Sequence, residues 1–201
     1  MKLSSVKRDD VASVREAAAQ HGGLVIDLRN YPSAIFRELA QHLIEEPTPT
    51  VRFTYCDIDN PGAFVWKEPN VLEPLEPFLD IPVAVLVDEV TQSAAELHAI
   101  TFQAGPQVRV FGSTTAGADG NVSPIPLPGG HQTKLSSIGV FLADDTPTQR
   151  VGVPIDHEVR PTVDGIRESR DEVLEAALRW IWGDAAPEAE VVEAARRLPA
   201  P

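Results

Sequence analysis

The alternation of apolar and polar stretches along the chain is that of covered strands separated by amphipathic helices. Val11, Val14 and Ala18 recur at helical spacing in an alanine-rich stretch over residues 9–20, and Gly22-Gly23 follows as a stop. Leu24-Val25-Ile26 is short and wholly apolar, as a strand covered on both faces must be, and it breaks off at a polar turn over residues 27–33. Ile35, Phe36, Leu39, Leu43 and Ile44 share one side of a helix predicted over residues 34–46. Residues 51–56 read as a strand. Residues 57–80, rich in proline and acid, read as a loop with little regular structure. A segment of that length is often a lid or a substrate-facing element, a surface excursion without a role being the alternative.

The clearest unit comes next. Residues 82–87 predict a buried strand, 88–92 a turn, 93–104 a helix, 108–112 another strand and 113–120 a loop. Residues 126–130 resemble a hairpin turn, with antiparallel strands expected over 133–137 and 138–142 and a last helix over 170–182. No internal repeat is visible. Strands alternating with helices predict an α/β class. The length suits one domain, a core over residues 1–182 followed by an acidic Ala/Glu-rich tail over 183–201 that is either a loose appendage or a short helix.

Charge then removes whole classes of function. With 17 basic against 30 acidic side chains the formal charge is −13. That field repels phosphate backbones, so nucleic acid is not an expected partner. Nor would an anionic membrane surface attract the chain. No stretch approaches the ~20 apolar residues that span a bilayer, so no membrane insertion by this chain is expected. Residues 1–10 are polar and lack the apolar core of a signal peptide. The compartment stays open, export of a longer polypeptide included. The one cysteine, Cys56, allows neither an internal disulfide nor a cysteine metal cluster.

Ser93 is where chemistry is expected. A serine needs exposure, a base and donors for an oxyanion before it acts as a nucleophile. Ser93 falls between a buried strand and the start of a helix, where first-turn amides are free and the helix dipole favours negative charge. The Ala94 N–H is the natural first oxyanion donor. Ser93-Ala94-Ala95-Glu96 is equally a capping box, in which Ser93 caps the helix and Glu96 bonds back.

Several segments, in order, resemble the S41 peptidases, the tail-specific or C-terminal processing protease family. Leu24-Val25-Ile26-Asp27-Leu28-Arg29-Asn30 is similar to its "hydrophobic strand, then Asp-Leu-Arg-Asn", and the segment from Val85 through Ser93 to Glu96 is similar to its nucleophile segment. Val110 to Gly117, Leu127-Pro128-Gly129-Gly130, Gly152 to Asp156 and the closing helix resemble later landmarks. The resemblance implies a ClpP/crotonase-like spiral of β-β-α units. It also implies peptide hydrolysis through an acyl-enzyme on Ser93, a peptide or protein substrate, and no metal or organic cofactor. A homo-oligomer is compatible with it. The Ala94 N–H would share the oxyanion with a donor from the loop after Asn30, at Ser33 or Ala34, and Thr115, Gly117 and Asp119 would belong to a substrate loop.

Two features depart from the family pattern. Tyr31-Pro32-Ser33-Ala34 stands where paired glycines often follow Asp-Leu-Arg-Asn, and proline donates nothing. Ala118 stands where one branch carries its activating lysine, and no lysine follows before Lys134, expected on a strand facing solvent or substrate. A tricorn-like branch uses a histidine ahead of the first helix instead, a segment that the present residues do not include. Gln149 lies near that branch's supporting acid. Of the other histidines, His98 is expected as a partly exposed helix residue, His42 as a boundary residue, His131 in a turn and His157 in a closing loop; Asp119 could orient a base. The expected reading is therefore a peptidase core whose base lies upstream, with weak or absent activity for this chain alone. The alternatives are a non-catalytic ligand- or peptide-binding module of the same fold and a crotonase-type acyl transfer enzyme, for which no acyl-CoA signature is visible.

Overall fold

The computed structural model describes residues 1–33, 36–183 and 186–197. Its strands are β1 (Leu24–Asp27), β2 (Thr48–Pro49), β3 (Val51–Cys56), β4 (Phe64–Trp66), β5 (Val71–Leu72), β6 (Val83–Val87), β7 (Val108–Gly112), β8 (Val122–Pro126), β9 (Gln132–Ser136), β10 (Ile138–Leu142) and β11 (His157–Glu158). Its α-helices are α1 (Val11–His21), α2 (Arg37–Gln41), α3 (Ala94–Phe102), α4 (Val163–Arg167), α5 (Glu172–Trp182) and α6 (Glu188–Arg197).

A parallel sheet in the order β1-β6-β7-β11 forms the frame, and the α/β class read from the sequence is the class observed. β6 lies inside it, pairing Val85 with Ile26 on one side and with Val110 on the other. All five β6 residues are at most 1% exposed. Val83, Val85 and Val87 pack into a core with Phe36, Leu39 and Phe102, whereas Ala84 and Leu86 pack with Phe111, Leu174 and Leu178. The strand period of two thus feeds two separate cores. Each fully buried Val or Leu contributes roughly 2 kcal/mol.

α1 stops where the sequence says, with Gly22 left-handed at φ 69°. α2 is shorter than predicted, because the amides of His42 and Leu43 bond only three residues back, to Leu39 and Ala40. Its predicted first positions, Ala34 and Ile35, lie outside the described residues. His42 is not at a boundary but buried, 3% exposed. Its Nδ1 meets the carbonyls of Leu75 (3.0 Å) and Pro77 (3.1 Å), which fastens the segment before β6 to the end of α2.

The 57–80 segment holds more structure than its composition suggested. β4 pairs antiparallel with β3, and β5 with β2. β9 turns back on β8 rather than on β10. Only Ser137 separates β9 from β10, too little for a hairpin turn, so β10 pairs with β3 instead. Beyond Gly183, α6 buries Val191 and Ala195 in the core that α5 and Phe111 share. Among the described residues no helix is long and apolar enough to cross a membrane.

Candidate active site

β6 ends at the level where β1 ends, and the turn after it is tightly tied. Asp88 Oδ1 accepts from the amides of Val90 and Thr91, both at 3.1 Å. The Thr91 hydroxyl, on a side chain 1% exposed, donates to the Leu28 carbonyl just past β1 (3.2 Å). Burial raises the Asp88 carboxyl above its ordinary value, against these hydrogen bonds.

This turn delivers Ser93 in an unusual backbone state, φ 53° and ψ −122°, at the N-cap of α3. A side chain with Cβ rarely adopts that region, and holding one there costs ~1–3 kcal/mol. Ser93 is half-buried. The Ala94 N–H belongs to the first turn of α3 and donates to no acceptor among the described residues. Of the capping box, the Ser93 amide bonds Glu96 Oε2 at 3.2 Å, while the Ser93 hydroxyl makes no capping hydrogen bond among the described residues.

Glu96, expected only as the second half of that box, turns out to be a hub. It is fully buried, at 0% exposure. Its Oε2 accepts from the amides of Ser93 (3.2 Å) and Ala118 (2.9 Å). Its Oε1 accepts from the Thr115 hydroxyl (2.6 Å) and the Gly117 amide (2.8 Å). Gly117 is left-handed at φ 59°, and a Cβ there would approach the Arg150 amide to 2.9 Å. Thr115 and Gly117 are buried at the base of this loop and not offered to solvent. The sequence signal for the hub was the Ser-x-x-Glu spacing, whose second partners lie some 20 residues away.

Asp119 follows in the same loop, 8% exposed. Its Oδ1 accepts from the Gly120 amide (2.7 Å), while its Oδ2 is buried without a hydrogen-bond partner among the described residues. Burial, with the charge of Glu96 adding to it, pushes its carboxyl up to about 6. Gln149 donates to the carbonyls of Asp119 (2.7 Å) and Ile138 (2.9 Å), bracing the loop from the other side.

Ser33 does not serve as the second oxyanion donor. Its amide donates to the Leu3 carbonyl (3.0 Å), and its hydroxyl also bonds into the N-terminal segment, so both donors are spent. Ala34, the other candidate, lies outside the described residues. His98 is corrected too: it is 4% exposed, not half open. Its Nδ1 bonds the Ala94 carbonyl, and its Nε2 accepts from the Phe36 amide (3.0 Å). Burial lowers its basicity. Lys134 and His131 are exposed, on β9 and just before it, and exposed His157 stacks on Phe111 at 4.4 Å. Among the described residues no cluster of side chains suits a metal ion.

The model of Peptidase family S41 matches residues 2–159. Among solved structures, a putative peptidase from Parabacteroides merdae superposes with a TM-score of 0.79 at 25% identity, over 92% of this chain and 61% of that one. Mature CPAF complexed with lactacystin gives a TM-score of 0.69 at 12% identity, over 96% of this chain and 51% of that one. The photosystem II D1 C-terminal processing protease gives 0.53 at 19% identity, over 93% and 47%. The latter two speak to the fold alone. The chain spans 61% or less of the length of these three solved proteins. No curated protein matches it in sequence.

Proposed function

The chain belongs to peptidase family S41, and from that premise we propose a serine peptidase that hydrolyses peptide bonds through an acyl-enzyme on Ser93. The observation that carries this reading is the backbone of Ser93: a strained φ of 53° at the head of a helix, beside the unengaged Ala94 N–H. Strain of that kind is retained where surrounding structure enforces it, and it clusters at reactive sites. In the reaction Ser93 Oγ attacks the scissile carbonyl carbon and gives its proton to a base. The oxyanion accepts from Ala94 N–H. The amine then leaves with a proton, and water hydrolyses the ester. Ala118, Gln149 and the buried His98 offer Ser93 no base, and the scheme takes its base from a segment outside residues 1–201. The substrate is a peptide or protein, and no metal or organic cofactor enters the scheme.

Fluorophosphonate labelling tests the reading, on the 201-residue chain and on any longer polypeptide that carries it. Labelling that disappears in Ser93→Ala supports the nucleophile. Failure of both forms to label favours a second reading, a non-catalytic binding module of the same fold. Ala118 and Gln149, which stand where relatives are expected to carry a lysine or an acid, favour that second reading.

A further inference from the structure

We propose that Glu96 is a positioning residue that fixes the distance between Ser93 and the 115–118 loop, and that reactivity at Ser93 depends on both of its side-chain oxygens acting as acceptors. The inference rests on the peptidase reading, which does not itself require it. A capping glutamate needs one bond, to the N-cap amide. Glu96 makes four, three of them to a loop about 20 residues further on. The carboxylate is fully buried, and among these four partners there is no cation, only three backbone amides and one hydroxyl. A buried anion held by neutral donors alone is costly unless its acceptor sites are filled. The site is filled by donors drawn from the head of α3 and from the 115–118 loop, so neither can shift without leaving Glu96 unsatisfied.

The arrangement extends through Thr115. Its hydroxyl donates to Glu96 and accepts from the Val153 amide (3.0 Å), which links the loop to the segment before β11. Gly117 can lie against the Arg150 backbone only because it has no Cβ. Glu96 thus joins Ser93, the loop and the 150–153 segment.

Glu96→Gln tests this, because the substituted amide is nearly isosteric and carries two N–H donors. In either orientation of the amide, its NH2 faces backbone donors that require an acceptor. The rate of fluorophosphonate labelling at Ser93 is expected to fall at least tenfold, with little change in the concentration at which labelling saturates. Amide hydrogen exchange at Gly117 and Ala118 is expected to accelerate at least tenfold. Labelling within twofold of the parent, or unchanged protection of both amides, overturns the proposal. Should Glu96→Gln fail to fold, Thr115→Val and Thr115→Ser decide. The serine retains the hydroxyl and the labelling rate, whereas the valine loses both; equal rates in the two overturn the proposal. If the parent does not label at all, the peptidase reading fails, yet the exchange measurement still decides whether Glu96 holds the loop.

Discussion

Arg29 and Asp171 lie 142 positions apart in the sequence and meet in a paired contact, Nη1 to Oδ1 at 2.9 Å and Nη2 to Oδ2 at 2.8 Å. The same guanidinium holds Asp27 through Nε (3.0 Å) and Nη2 (2.9 Å). Asp171 in turn caps α5 by accepting from the Leu174 amide (3.0 Å). One cation therefore locks the end of β1 to the start of α5. Burial would raise the Asp171 carboxyl, but the bonds and charge of Arg29 outweigh it and hold the group below its ordinary value.

Arg29→Leu should accordingly be severe. It leaves two largely buried carboxylates without their cation, a loss of ~3–5 kcal/mol. Urea unfolding at neutral pH measures it. Because the folded value of Asp171 is depressed, its share of stability is present above the ordinary carboxylate range and is lost as pH falls through the folded value. Arg29→Leu should flatten that acid limb.

Asp119 works in the opposite direction. Its folded value of about 6 stands above the ordinary 3.8, so between those values the folded protein holds a proton the unfolded chain has released. Raising pH through that window removes stability. Asp119→Asn should therefore gain roughly 3 kcal/mol at pH 7 relative to pH 4, on a scale of ~1.4 kcal/mol per pKa unit. The gain should vanish near pH 4. Denaturation midpoints at the two pH values decide it.

His98 adds an independent slope. Burial holds it neutral, so as pH falls below its ordinary value of 6.5 the unfolded chain takes up a proton that the folded one resists. Stability falls with it. His98→Gln, which can still accept from Phe36, should remove that slope and leave stability at pH 8 within ~1 kcal/mol of the parent. A fall in stability from pH 6.5 to 5 as steep in the variant as in the parent would sink the assignment.

At Ser93 two substitutions separate strain from chemistry. Both Ser93→Ala and Ser93→Gly should abolish labelling. Glycine tolerates a φ of 53° and alanine does not, so the glycine variant should be the more stable by ~1 kcal/mol. Thermal melts of the pair read the difference directly. Equal stability would mean that the backbone at 93 relaxes once the hydroxyl is gone.

The frame was legible because it is local. The uninterrupted apolar run at 83–87 can only be a strand covered twice, and Gly22-Gly23 can only end a helix. The Ser93 junction was legible for the same reason. What escaped was long-range pairing. Arg29 was read within a polar turn, since nothing near it announces Asp171. Glu96 was read as a cap because its other partners lie beyond β7. His42 and His98 were placed nearer the surface because ring nitrogens look polar until their acceptors and donors are known. The β10 partner was missed because chain proximity favoured β9, while turn geometry forbids it.

The two-sided burial of β6 has a consequence for how variants of this protein should be sorted. Five fully covered residues set the height and tilt at which the following turn presents the Ser93 hydroxyl. A screen that scores labelling at Ser93 will therefore collect substitutions at 83–87 alongside those at residues 93–118, and the two groups will look alike until each is asked whether it still melts where the parent does.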